Sequence, residues 1–141
     1  MILFFSETNF KPSQKRPIKN WIMEIVKREN KKIRDINIVF YNDEQLAILN
    51  KQYLNHSTLT DIITFDYSEK NMLQGDIFIS VERVKENAKR FDYTFEEELR
   101  RVIAHGILHL CGYKDKKNDD KQQMKQKEEE ALTLFKAQYN Y

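Results

Sequence analysis

The sequence predicts a single α/β (α+β) domain over residues 1–141, a mixed four-stranded sheet packed with helices around one central helix. Three observations lead there. The chain has 141 residues, 40% hydrophobic and 33% charged, a length and balance that suit one ordinary globular core. Apolar residues alternate between a period of two and a period of 3.6 as the chain is followed, which marks interleaved strands and helices around one sheet. There is no internal repeat, and no apolar run approaches the roughly 20 residues that cross a bilayer.

The opening residues MILFFSET are apolar but have neither a basic stretch before them nor a small-residue cleavage site. They read as a strand, not a secretory signal. After a polar link with Pro12 and Pro17, Ile18, Trp21, Ile22, Ile25 and Val26 recur at helical spacing toward Asn30, and Pro17 suits the first helical position. Ile33 to Tyr41 alternates, with Ile36, Ile38 and Phe40 on one side, as a strand does. Asn42 or Asp43 is placed to cap a second helix whose apolar face is Leu46, Leu49 and Tyr53. Two strands follow: Asp61 to Tyr67, with Ile62, Ile63 and Phe65, and Gly75 to Ser80, with Ile77 and Ile79. The SEKNMLQ segment between them reads as a polar, flexible linker. Ser80 to Phe91 reads as a third helix, and Asp119 to about Tyr139 as a long last one rich in Lys and Glu, with Asp119 and Asp120 starting it as caps.

Between these two lies TFEEELRRVIAHGILHLCGYKD, Thr94 to Asp115. Thr94 and Glu97 form a capping-box pattern, and Glu96, Glu97 and Glu98 stand where the helix dipole favours negative charge. Val102, Ile103, Ile107, Leu108 and Leu110 clothe the helix in hydrocarbon on nearly all sides. His105 and His109 share one face, with Cβ atoms roughly 6 Å apart. Gly112 can take the left-handed conformation that closes a helix and would turn Asp115 back along the helix end onto His109. The spacing HxxxHxxxxxD offers two imidazoles and a carboxylate, a set that suits zinc with an open fourth position. His105, His109 and Asp115 are therefore the candidate metal ligands. The alternative is a pair of core histidines bonded to backbone carbonyls, with Asp115 a solvated acid like its neighbours Asp119 and Asp120. Gly106 stands where the HExxH metalloproteases carry their glutamate base, and its cost in a helix, about 1 kcal/mol against alanine, suggests a close packing partner. Cys111 is the only cysteine, so it reads as a packing residue in a reducing compartment.

HGILHLCGY with its acidic helix start closely resembles the signature of the YbeY family, bacterial rRNA maturation factors that are metal-dependent endoribonucleases. The family pattern is HGxLHLxGYDH, with three metal-binding histidines; two match as His105 and His109, while the third falls on Asp115 and the preceding aspartate on Lys114. LNKQYLNHSTLTDIITFD and GDIFIS resemble two further family segments. Leu54 stands where the family usually carries an arginine linked to catalysis. His56 is either a partial stand-in for a lysine of that pattern or a solvated loop residue, and Asp61, entering a strand near the site, is placed to cap a helix or to orient a ligand histidine. The resemblance implies a zinc-dependent endoribonuclease with one Zn2+ per chain, other divalent metals remaining open. Its substrate would be single-stranded RNA, and its task the maturation of the 3′ end of small-subunit (16S) rRNA and ribosome assembly or quality control. The implied partners are rRNA and the small ribosomal subunit in the cytoplasm, with neither membrane nor DNA. The general base is unassigned, Asp115 being one candidate, and the nucleophile is either water activated at the ion or the RNA 2′-hydroxyl.

Charge adds a second line. A net charge of +2 is too small for indiscriminate binding to nucleic acid, so distribution matters more. Lys114, Lys116, Lys117 and Lys121 flank Asp115 and are the candidate RNA-binding residues. Lys11, Lys15, Arg16 and Lys19, and Lys27, Arg28, Lys31, Lys32 and Arg34, form two earlier clusters that read as a phosphate path or as solvated surface. Two rival functions stand beside the nuclease. A metalloprotease would use the same histidines but lacks its base at Gly106; a non-catalytic zinc-containing ribosome assembly factor is favoured by Leu54 and Asp115.

Overall fold

Residues 1–55 and 59–139 are described by the structure, a computed structural model. They form β1 (Ile2–Ser6), α1 (Lys15–Arg28), β2 (Lys32–Tyr41), α2 (Asp43–Leu54), β3 (Ile62–Asp66), β4 (Met72–Ser80), α3 (Val81–Phe91), α4 (Phe95–Leu110) and α5 (Asn118–Tyr139). The four strands make one sheet in the order β1-β2-β4-β3. Both β1–β2 and β2–β4 are parallel, and β3–β4 is antiparallel. Connection length explains the difference. A helix lies on the path from β1 to β2 and from β2 to β4, as parallel neighbours require, whereas β3 and β4 are joined by a short turn.

Alternation along the strands sets the two faces. Ile36, Ile38 and Phe40 of β2 stand in register with Gly75, Ile77 and Ile79 of β4, and all the large side chains among them are fully buried. On that side α1 lies against β2 and α4 against β3 and β4. Tyr41, Phe78 and Phe65 alternate with the core set and link ring to ring, reaching Tyr53 of α2. The last helix seals the core from outside. Trp21 of α1 is completely buried, donates its indole N–H to the Ala131 carbonyl at 2.8 Å, and meets Phe135 edge to face.

Both expected helix starts are present as full capping boxes: Asn42 with Gln45, and Thr94 with Glu97. Four expectations are corrected. The first helix begins at Lys15, so Pro17 lies third in it and not first, and no side chain caps it. Tyr53 is exposed and Asn50 is buried in its place, since α2 turns its i+4 position from Leu46 inward. The linker expected to be flexible is a tight hairpin turn, with Lys70 at φ 54° and Glu69 paired to Met72, and Met72 to Gln74 already belong to β4. Asp119 and Asp120 sit inside the first turn of α5 and not ahead of it as caps, because the helix starts at Asn118.

Candidate active site

Helix α4 positions the site. Ten of its sixteen residues are buried, and it packs against β3, β4, α1, α3 and α5, so its register is fixed on all sides. Gly106 explains that fit: a Cβ there would stand 2.9 Å from Ile62 Cδ1 and 3.2 Å from Ile77. The close partner anticipated at this glycine is the sheet itself. His105 and His109 emerge half-buried on the one face that hydrocarbon leaves free.

The helix ends at Leu110, and Gly112, at φ +110°, reverses the chain. Tyr113 donates its backbone N–H to the Leu108 carbonyl and its hydroxyl to Glu29 at 2.8 Å. The loop so pinned brings Asp115 Oδ2 to 3.3 Å from His105 Nε2. Asp115 thus folds back by more than the expected distance, reaching His105 and not His109. His109 lies one turn further along the same face and makes no hydrogen bond to a described residue.

A third group completes the arrangement. His105 Nδ1 lies 2.7 Å from Glu128 Oε2 on α5, and Glu128 also accepts from Arg101 at 3.3 Å. Arg101 in turn forks onto Glu98, with Nε to Oε1 at 2.8 Å, and Glu98 is wholly buried. Buried ions are tolerated only when paired and hydrogen-bonded in this way. Burial works against the charged form of His105, but the Glu128 hydrogen bond, with the charges of Glu128, Asp115 and Asp61, outweighs it and raises the imidazole pKa. Burial pushes the Asp61 carboxyl up, against the pull of Arg101 and His105. Asp61 neither caps a helix nor bonds a histidine among the described residues. Its carboxylate accepts from Asn87 at 3.4 Å.

The donor set fits a cation at His105 and Asp115. The Glu128 carboxylate selects the tautomer with the proton on Nδ1. Nε2 then faces a carboxylate oxygen at 3.3 Å, a contact satisfied either by a proton on Nε2, which the raised pKa of His105 favours, or by a cation held between the two atoms. Among the described residues, no three of His, Cys, Asp and Glu converge closely enough to hold an ion as they stand. His109, the other candidate ligand, makes no contact with His105 or Asp115 that would complete such a group.

A cleft of about 380 Å3 opens at this point, bordered by His105, Asp115, Arg101 and Lys121. Of the four lysines proposed for RNA, only Lys121 lines it. Lys114, Lys116 and Lys117 are exposed on the loop outside, and Lys125, one helical turn beyond Lys121, borders the cleft. Leu54 is exposed at the end of α2; His56 lies outside the described residues. Sequence reading missed Glu128 and Arg101. A signal for the first exists: Met124, Glu128, Ala131 and Phe135 are the buried residues of α5, spaced 4, 3 and 4, so a glutamate occupies one step of an apolar stripe.

Cys111 packs at the edge of the core, where burial, reinforced by Glu29, pushes its thiol up to about 12. Native protein is therefore expected to resist alkylation by iodoacetamide at pH 8, while urea-unfolded protein reacts at the rate of an ordinary thiol. The same shift sets a sign for stability. The unfolded thiol ionises first, so this contribution is complete below the unfolded pKa near 9 and fades as pH climbs toward 12.

The fold and cleft together define a class: a small mixed-sheet protein whose candidate site is a histidine on a buried helix, held between two carboxylates, with a second histidine one turn along the same face. The family model described as Endoribonuclease YbeY matches residues 4–136. An Endoribonuclease YbeY from Flavobacterium johnsoniae is 50% identical over 135 residues, covering 96% of this chain and 97% of that one. One from Christiangramia forsetii is 51% identical over 134 residues, covering 95% and 94%. The solution structure of a Thermotoga maritima protein superposes with a TM-score of 0.71 at 28% identity, over 99% of this chain and 92% of that one. The chain belongs to the YbeY family of endoribonucleases.

Proposed function

We propose that this protein is a zinc-dependent endoribonuclease that cuts single-stranded RNA in maturing the 3′ end of small-subunit rRNA, in the cytoplasm and on the small ribosomal subunit. The observation that carries the reading is the Glu128–His105–Asp115 line, 2.7 Å on one side of the imidazole and 3.3 Å on the other, inside a chain of this family. His105 and Asp115 would hold the ion, with His109 as the third ligand. A divalent ion there supplies Lewis-acid polarisation of a scissile phosphate. Glu128 fixes the ring plane and tautomer of His105, and Arg101 holds the Glu128 side chain in place. Lys121 and Lys125 border the cleft as point charges for phosphate oxygens, and Lys114, Lys116 and Lys117 extend that field along the loop.

Elemental analysis combined with cleavage of a labelled single-stranded RNA tests this reading. Purified protein is expected to carry about one zinc per chain. Asp115→Ala and His109→Ala should each lower metal retention by about 10- to 100-fold and abolish cleavage, whereas Asp119→Ala and Asp120→Ala, which alter the first turn of α5, should retain both. Equal metal loss in all four variants would overturn the ligand assignment. Stoichiometric zinc without cleavage would favour the non-catalytic assembly factor, the reading that Leu54 supports.

A further inference from the structure

A second cavity lies away from the candidate cleft. It is a groove of about 640 Å3 beside α1 and the first residues of β1 and β2. Six cations line it, Lys15, Arg16, Lys19, Lys27, Lys31 and Lys32, and no acidic side chain does. These come from two clusters that are separate in sequence. Helix α1 brings them onto one surface, with Lys15 and Lys27 about 18 Å apart along its axis at 1.5 Å per residue. That length suits a run of phosphates better than a single anion.

Ordinary helix electrostatics explains only half of this charge. Lys27 sits in the last turn of α1, where the dipole welcomes a cation. Lys15 and Arg16 open the helix, and its first turn holds no acid. Cations there oppose the dipole and add to the positive field of the free N–H groups, an arrangement that is unfavourable until an anion arrives. The groove is not merely polar either. Met23 and Met1 are more than half exposed beside Val26 on its wall, giving apolar surface between the charges for the faces of bases to contact.

One end of the groove is tied to the site loop through Glu29. Lys31 and Lys32 follow Glu29 by two and three residues, and Glu29 accepts the Tyr113 hydroxyl at 2.8 Å. Tyr113 belongs to the same loop as Asp115. We infer that this groove is a second RNA-binding site, which holds the phosphate backbone of the strand as it leaves the catalytic cleft around the Tyr113 loop. The inference rests on the proposed RNA substrate. An acidic protein segment is the competing occupant, and the exposed methionines beside the lysines favour a strand with bases over a chain of carboxylates.

Fluorescence anisotropy on the full chain tests it without requiring turnover. The probes are labelled single-stranded RNAs of about twenty and about four nucleotides, titrated across a range of salt. The variants are Lys15→Glu with Lys19→Glu, and Lys27→Glu with Lys31→Glu. Lys85→Glu with Lys89→Glu, on the exposed side of α3, makes the same change of charge elsewhere, and circular dichroism confirms the fold of each. Either groove pair should weaken the longer RNA by about tenfold or more and lower its salt slope by about 1.4, roughly 0.7 for each lysine removed from a single-stranded ligand. The α3 pair should weaken it by less than about threefold, and the short RNA should feel all three pairs alike. Equal losses from groove and α3 pairs, or equal losses for short and long RNA, would overturn the inference. So would polyglutamate displacing long RNA from wild-type protein more effectively than polyuridylate does. If wild-type protein neither binds nor cuts RNA, the proposed function itself fails; if it does both and the groove pairs match it, only this second site is lost.

Discussion

Glu128→Ala is expected to destabilise the protein by about 3 kcal/mol and to remove its RNA cleavage, although residue 128 is not among the proposed ligands. The Glu128 side chain is 7% exposed and serves both Arg101 and His105. Deleting one partner of a buried ion pair leaves the other charge without compensation, which typically costs about 3–5 kcal/mol. Arg101 retains its fork to Glu98, which places the effect at the lower end. The ring of His105 loses the contact that sets its tautomer, so metal affinity should fall by about 10- to 100-fold as well. Glu128→Gln separates the two roles. Its amide oxygen can still accept from Nδ1–H, while its NH2 group faces the guanidinium, so stability should drop by about 1 kcal/mol with part of the cleavage kept. Urea denaturation followed by circular dichroism, with zinc content and cleavage on the same samples, checks both variants. A Glu128→Ala protein that keeps wild-type stability would show that the α5 network adds nothing to the fold.

Gly75→Ala should be nearly as damaging, at about 3 kcal/mol, for a purely steric reason. A Cβ at residue 75 would stand 2.6 Å from the Phe65 carbonyl oxygen and 2.8 Å from Leu110 Cδ2. Leu110 can rotate, but the Phe65 carbonyl belongs to the neighbouring strand, where Asp66 pairs with Gly75, so β3 would have to move. Gly106→Ala provides the contrast. Its obstacles are the ends of Ile62 and Ile77 side chains, which can shift by a few tenths of an ångström, and alanine recovers about 1 kcal/mol of helix propensity. Its net effect should lie within about 1 kcal/mol. Thermal melts of the two variants side by side measure the difference, and equal melting temperatures would refute the steric account.

What the sequence made legible was local. The strands around Ile36–Phe40 and Ile77–Ile79 followed from alternation, the start of α2 from Asn42 or Asp43 as its cap, and the start of α4 from Thr94 with Glu97. Each is decided by residues within a few positions of one another. The order β1-β2-β4-β3 was not legible, because a single strand carries no mark of which distant strand it will meet. The same limit hid half of the site. His105 and Asp115 are ten residues apart and could be joined by reasoning about one turn; Glu128 reaches His105 from twenty-three residues away, and its KQKEEE surroundings have the composition of a solvated surface. Only the buried stripe of α5 marks it. The reach of Asp115 was misjudged by one helical turn, since Gly112 sets the direction of the returning chain but not how far it travels before Tyr113 is pinned to Glu29.

The bond from Trp21 to the Ala131 carbonyl gives the molecule an intrinsic optical gauge. The chain has one tryptophan, so its emission spectrum comes from a single place, the seam between α1 and α5. That seam lies less than one turn of α5 from Glu128. When α5 lifts from the core, the indole loses its hydrogen bond and its dry surroundings together and its emission moves to the red. At the same moment His105 loses the carboxylate that orients it. The colour of one ring therefore tracks whether the site is assembled.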